Sequence, residues 1–502
     1  MKKAFAVVVA AFCILHSAFT VRAANGDTRL IDAIKAGNTA AVQALLKERT
    51  LINATEADGS TALHWAARAD RLDLVQALLK KSAQANVKNR YGITPLTLAA
   101  VNGSAPVIDA LLKAGADPNA TDTDGQTVLM LSARTGKPDA VKLLLDRGAH
   151  VNARETWQGE TALMWAAAED HPEAVATLAA HGADLNAHSK VPEFPKVKVD
   201  AATMVFTALP RGGLTALMLA ARQGAQGGVR ALADAGADLN AVDADGTTAL
   251  NIAVINAHYD VAALLIEKGA DLNIGDAAGM TPLYAAIDMQ HQEPMINRPL
   301  PRPSGKLLPA DVVTLLLDRG ASPNARLKTP LLMRQHSGGD PTLGEGATPL
   351  MRAAKVSDTR FIRLLLDKGA DPNLRLRNQT TALMIAASRA ARNAGPEQQT
   401  IDAMQLLIAK GADVNAVNDN GESALHIAVA RGDGLVRFLA EHGADLMLKD
   451  KSGRTPLDVA MGVAGGGGGG RGRGGRGAAP AAGQVRESTA ALLKELLAAR
   501  GL

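Results

Sequence analysis

Apolar residues fall into two short helical stripes separated by polar turns, most clearly in DGQTVLMLSARTGKPDAVKLLLDRGAHVN, from Asp124 to Asn152. Asp124-Gly125 predicts a turn, because Asp supports a local side-chain turn and Gly takes positive φ without a Cβ clash. Thr127 suits a helix N-cap, where its hydroxyl accepts from an orphan first-turn amide. Leu129 and Ala133 then lie in a short helix that Gly136 closes. Pro138, tolerated in a first helical turn, opens a second helix. Val141, Leu144 and Leu145 form its apolar stripe, and Gly148 ends it.

The same unit recurs. Its opening threonine, once a serine, stands at 61, 94, 127, 161, 215, 248, 281, 348, 381, 423 and 455. Successive differences are 33, 33, 34, 54, 33, 33, 67, 33, 42 and 32. The openings read TALHWAA at 61–67, TPLTLAA at 94–100, TALMLAA at 215–221 and SALHIAV at 423–429. The closings read GADPN at 115–119 and 369–373, GADLN at 236–240 and 269–273, and GADVN at 411–415. With that period and those motifs the chain resembles the ankyrin-repeat family, whose helix-pair unit has the same length.

One helix pair exposes too much apolar surface to fold alone, so neighbours must bury it. The expectation is an all-α solenoid of about twelve stacked helix–turn–helix units with short β-hairpin-like fingers. Paired alanines such as Ala66-Ala67 and Ala220-Ala221 let first helices approach closely, which predicts a concave side. Residues 24–57 read as an N-terminal capping pair, 58–187, 212–289 and 346–451 as regular repeats, and 452–502 as a C-terminal capping repeat. Extra length falls at 188–211, where KVKVDAATMVF predicts a small hairpin, and at 290–345. The 67-residue interval reads as one pair with a Pro-rich insertion and a long finger, not as two repeats. A Gly/Arg-rich linker occupies 465–483; its Arg471, Arg473 and Arg476 lack interleaved aromatics and read as linker.

Composition adds an address. Lys2 and Lys3 precede an apolar run from Ala4 to Phe19, and Val21-Arg22-Ala23 offers a small residue for cleavage. Residues 1–23 therefore read as a secretory signal peptide cut after Ala23, of bacterial character, directing the chain to the periplasm or outside. The 54 basic residues, less Lys2, Lys3 and Arg22, leave 51 against 50 acidic, so global charge does not point to nucleic acid. Cys13, the only cysteine, goes with the signal, which excludes disulfides, thiolate metal sites and cysteine nucleophiles from the mature chain. No membrane span is expected in the mature chain.

The residues present no catalytic constellation, and no cofactor or metal is expected. The spacing of His171, His181 and His188 suits no zinc pattern. Asp122-Thr123-Asp124-Gly125 lacks the glutamate of a calcium loop. The asparagines at 119, 152, 186, 240, 273, 324, 373 and 415 are expected to tie neighbouring turns together. Trp65 and Trp165 are expected in the core. Tyr91 and Trp157 fall at finger apices; each is a candidate anchor for a partner, and Trp157 could instead pack on the adjacent finger.

The resemblance implies structural roles for His64 and His426, and protein binding through finger tips and exposed first-helix positions. Those positions include Arg68, Arg134, Glu169, Arg222, Asp288, Lys355, Arg389 and Arg431. The reading is a non-enzymatic protein–protein interaction scaffold of the cell envelope. Two alternatives stand beside it: an enzyme or small-ligand or metal carrier built by 188–211 and 326–345, with His188, His336 or Asp340, and a weak polyanion binder.

Overall fold

Each opening threonine stays extended and caps the helix that follows. Thr127 (φ −85°, ψ 158°) accepts the Met130 N–H on its hydroxyl at 3.2 Å. Nine more threonines, from Thr61 to Thr455, cap in the same way. Gly125 takes the positive φ (+77°) that its turn requires.

The computed structural model describes residues 27–191, 212–291, 301–329, 343–389, 395–463 and 486–502. Among these the chain is all-α, with twenty-four helices in twelve pairs and no named strand. The fingers are turns, four of them carrying one isolated antiparallel bridge, such as Thr121 with Thr127. The signal-peptide stretch, the expected hairpin at 196–206 and the Gly/Arg-rich linker lie outside the described residues.

The chain divides into two compact units, 1–157 with 180–183, and 158–179 with 184–502. The first holds α1 (Arg29–Lys35), α2 (Thr39–Leu45), α3 (Ala62–Arg68), α4 (Leu72–Lys80), α5 (Pro95–Asn102), α6 (Ala105–Lys113), α7 (Val128–Arg134) and α8 (Pro138–Asp146). Its first helices α3, α5 and α7 pack in sequence, as do its second helices α4, α6 and α8. The core is Leu, Ile, Val and Ala, with Leu63, Leu78, Leu96 and Ile108 almost wholly buried.

The second unit opens with α9 (Ala162–Ala168), α10 (Pro172–Ala180), α11 (Ala216–Gln223), α12 (Gln226–Asp234), α13 (Ala249–Ile255) and α14 (Tyr259–Glu267). It continues with α15 (Pro282–Gln290), α16 (Pro309–Asp318), α17 (Pro349–Lys355), α18 (Thr359–Asp367), α19 (Ala382–Ser388) and α20 (Glu397–Ala409). It ends with α21 (Ala424–Ala428), α22 (Asp433–Glu441), α23 (Pro456–Ala460) and α24 (Glu487–Ala499). First helices again pack on first helices from α9 to α21. The long 67-residue interval carries α15 packed on α16 among its described residues.

Polar groups tie successive pairs at three levels. At the finger tips a backbone N–H meets the preceding tip, as Arg90 N–H to Asp58 O (2.8 Å), Thr123 to Tyr91 (3.3 Å) and Ala277 to Asp245 (2.9 Å). At the unit closings the asparagines act as bidentate links. Asn119 donates to Gly148 O at 3.0 Å and accepts from His150 N–H at 2.8 Å; Asn373 repeats this with Gly411 and Asp413, both at 2.8 Å. Asn53 and Asn86 extend the ladder toward the N-terminus. Between successive second helices Asp109 meets Arg147 (3.1 Å), Asp318 meets Lys368 (2.9 Å) and Asp367 meets Lys410 (2.9 Å).

Several second helices lack a capping side chain of their own, and in the second unit an earlier pair supplies a carboxylate. Asp170 accepts from Gly228 N–H in α12 (2.8 Å), and Glu397 from Leu435 N–H in α22 (3.0 Å). Negative charge beside a helix N-terminus is favourable. Asp260 instead holds part of the Pro-rich insertion, accepting from Lys306 N–H at 2.7 Å and Leu307 N–H at 3.3 Å. Beside it, Ser304 hydroxyl lies 2.8 Å from His258 Nδ1, and His258 Nε2 lies 3.0 Å from Arg222 O.

Candidate functional site

In the first unit the finger tips form one edge. Thr123 N–H bonds to Tyr91 O, and Thr156 donates to Asp124 O through both its N–H (3.0 Å) and its hydroxyl (2.6 Å). Tyr91 and Trp157 therefore stand two tips apart on a hydrogen-bonded row. Tyr91 is half exposed; Arg90 stacks on its ring at 4.8 Å and donates to its hydroxyl at 2.6 Å. Trp157 is 82 % exposed, and its N–H is held by the Glu155 carboxylate at 2.6 Å. The ring thus faces solvent from a fixed turn; packing on the adjacent finger is not what the structure shows.

At the first-helix ends of the same unit Arg68 and Arg134 are exposed. Arg68 lies 5.4 Å over the Trp65 ring. Between them, at the same repeat position of α5, stands Val101, 48 % exposed, a residue the sequence reading passed over. Its only signal was an apolar side chain where the flanking helix pairs carry arginine. Trp65 and Trp165 are half-buried rather than core. Each indole N–H reaches a finger carboxylate, Glu56 at 2.6 Å and Glu160 at 2.9 Å, and a ring with a polar edge settles at a boundary.

In the second unit Arg222, Glu169 and Arg431 are exposed, and Lys355 is half-buried. Arg389 departs from expectation. It takes a left-handed backbone (φ +43°), and its guanidinium donates to Gly395 O at 2.6 Å, so it closes its own loop. Asp288 departs further. It is 8 % exposed and paired with Arg352 Nε at 2.7 Å. Arg352, 7 % exposed, occupies the position that Leu131, Leu219, Ile252 and Ile385 fill elsewhere. It also donates to His291 O at 3.3 Å, and His291 Nε2 lies 2.9 Å from Asp358. Burial raises the Asp358 carboxyl, but His291 and the Phe361 N–H outweigh it and hold it below its ordinary value.

The remaining titratable candidates are structural. His64 Nδ1 accepts from Thr61 N–H at 3.0 Å, and Nε2 reaches Ile93 O at 3.0 Å in the next turn. His426 does the same with Ser423 N–H (3.2 Å) and Arg454 O (3.1 Å). Burial lowers both histidines despite those carbonyls. Their unfolded counterparts take up protons near the ordinary value of about 6.5, while the folded ones resist. Stability is therefore unchanged above that range and falls as pH drops through it. Urea midpoints measured between neutral pH and pH 5 are expected to decrease. The double variant His64→Met, His426→Met, with the residue found at Met130 and Met164, is expected to lose part of that slope; an unaltered slope would contradict the assignment.

His188 is exposed, while His336 and Asp340 lie outside the described residues. Among the described residues no group of three or more His, Cys, Asp or Glu is placed to hold a metal ion. No helix among them is long and apolar enough to cross a membrane.

A family model described as "Ankyrin repeats (3 copies)" matches residues 9–89, 30–122, 96–189, 201–276, 217–296, 310–395 and 389–463, most of the chain. No curated protein matches the sequence.

Proposed function

The chain belongs to the ankyrin-repeat family, and from that premise we propose that it is a non-enzymatic scaffold of the cell envelope that captures a protein partner. The surfaces assigned are the finger tips at Tyr91 and Trp157 and the first-helix ends at Arg68 and Arg134, with Arg222, Lys355, Arg389 and Arg431 carrying the corresponding positions of the second unit. Of these Arg389 contributes least, since its guanidinium already serves its own loop.

One observation carries the reading: Trp157 is 82 % exposed on a finger whose backbone bonds to its neighbour. An exposed indole on a rigid turn loses little conformational freedom on binding, and Trp and Arg are enriched among residues that dominate interface energy. The envelope location rests on the basic start, the apolar run and the cleavage-compatible Ala23.

The test is capture of a partner from a native envelope fraction by the mature chain. Trp157→Ala with Arg134→Ala is expected to weaken capture about tenfold, roughly 1.4 kcal/mol, with thermal unfolding shifted little, as for surface substitutions generally. Equal capture by the double variant would refute the placement. N-terminal sequencing of the protein from that fraction is expected to start at Ala24; a chain retaining Met1 in the cytosol would refute the address.

A further inference from the structure

We propose that the adjacent finger tips of Asp124 and Trp157 receive an arginine side chain from the protein partner, its guanidinium stacked on the Trp157 ring and paired with the Asp124 carboxylate. The inference rests on the scaffold reading and names the group that this part of the surface recognises.

The first unit already places cations on its other accessible rings. Lys35 lies 4.2 Å over Trp65, and Arg68 lies 5.4 Å over the same ring. Lys35 also pairs with Glu56, which accepts the Trp65 indole N–H at 2.6 Å, so ring, cation and carboxylate close one set. Tyr91 takes Arg90 at 4.8 Å and leaves its face covered by its own neighbour. Trp157 is more exposed than Tyr91, yet among the described residues no cation or second ring of this chain lies against it.

The matching carboxylate stands one tip away. Thr156 donates to Asp124 O through its N–H (3.0 Å) and its hydroxyl (2.6 Å), and Trp157 is the next residue. Asp124 is exposed, and among the described residues its carboxylate makes no hydrogen bond or ion pair. Its backbone is fixed, because its N–H donates to the Asp122 carboxylate at 2.9 Å. Burial pushes the Asp122 carboxyl up, the Gln126 and Asp124 N–H groups oppose the rise, and the Asp124 charge adds to it. An incoming cation relieves that like-charge repulsion. Two of the three members of the Trp65 set are thus present at Trp157, and the cation is what a partner would bring.

Arginine suits the task better than lysine. A planar guanidinium lays its face on an indole while its edge N–H groups point to a carboxylate, and it is more weakly hydrated than an ammonium. Both receiving groups sit on backbone that is already held, so the ordering cost falls mainly on the incoming side chain.

The experiment uses the full chain with nitrogen-15 in its tryptophan indoles, read by nuclear magnetic resonance. The probe is a five-residue peptide with arginine at its centre and glycine and serine around it. Its counterpart carries citrulline, which keeps the shape and removes the charge. The Trp157 signal, assigned by its loss in Trp157→Phe, is expected to move and saturate with the arginine peptide while those of Trp65 and Trp165 stay. Affinity is expected to weaken as salt rises and to fall about three- to tenfold in Asp124→Asn. Asp124→Glu is expected to retain most of it, and the citrulline peptide not to bind. An unmoved Trp157 signal, equal binding of the two peptides, or unchanged affinity in Asp124→Asn overturns the inference. If any of these occurs while partner capture still falls with Trp157→Ala, this inference fails and the scaffold reading stands.

Discussion

Arg352→Ala is expected to destabilise the second unit by about 3–5 kcal/mol, because it strands Asp288 as a buried, unpaired carboxylate. Counting side-chain atoms alone, Arg352 is 8 % exposed and Asp288 12 %, with Nε to Oδ1 at 2.7 Å. Water cannot replace the lost partner at that depth. Truncation also removes the side chain that donates to His291 O and fills the space between α15 and α17.

An array loses cooperativity where one interface weakens. Urea denaturation followed by circular dichroism is therefore expected to show an earlier and broader transition. The pair itself need not be stabilising. Arg352→Leu with Asp288→Ala restores the aliphatic occupant that Leu219 and Ile252 supply elsewhere, and is expected to recover most of the loss. A loss below about 1 kcal/mol for the single variant would mean the carboxylate finds water.

Gly228→Ala is expected to cost about 1–3 kcal/mol, the opposite sign to the usual gain from removing a helical glycine. A Cβ on Gly228 would sit 2.7 Å from Ala167 O, a backbone atom of α9 that cannot rotate away. The N–H of Gly228 is also held by Asp170, so shifting α12 outward breaks that cap. Thermal unfolding of the full chain reads the effect; a neutral or stabilising result would show that α9 and α12 have room to part.

Neither of these two sites announces itself in the chain, whereas roles settled over a few residues do. Thr127, Gly125 and Pro138 declared themselves because a cap, a turn and a helix start are decided locally. The asparagine ladder was legible too, since the same closing recurs at a fixed period and each rung needs only its neighbour. Asp288 looked like one more charge at a first-helix end. Its partner lies 64 residues on, beyond two insertions that break the period. Val101 belonged to no motif, and Trp65 looked like core, since neither exposure nor a bond to Glu56 has a signature in spacing.

By itself the sequence determined the helix pairs, their number and their stacking partners, because each depends on local backbone chemistry repeated at 33 residues. The tertiary structure alone decided which charges are buried, which helix ends borrow a carboxylate from another pair, and which apolar side chains remain in solvent. Those outcomes depend on how far one helix stands from the next, and that distance is fixed only when side chains far apart in the chain pack together.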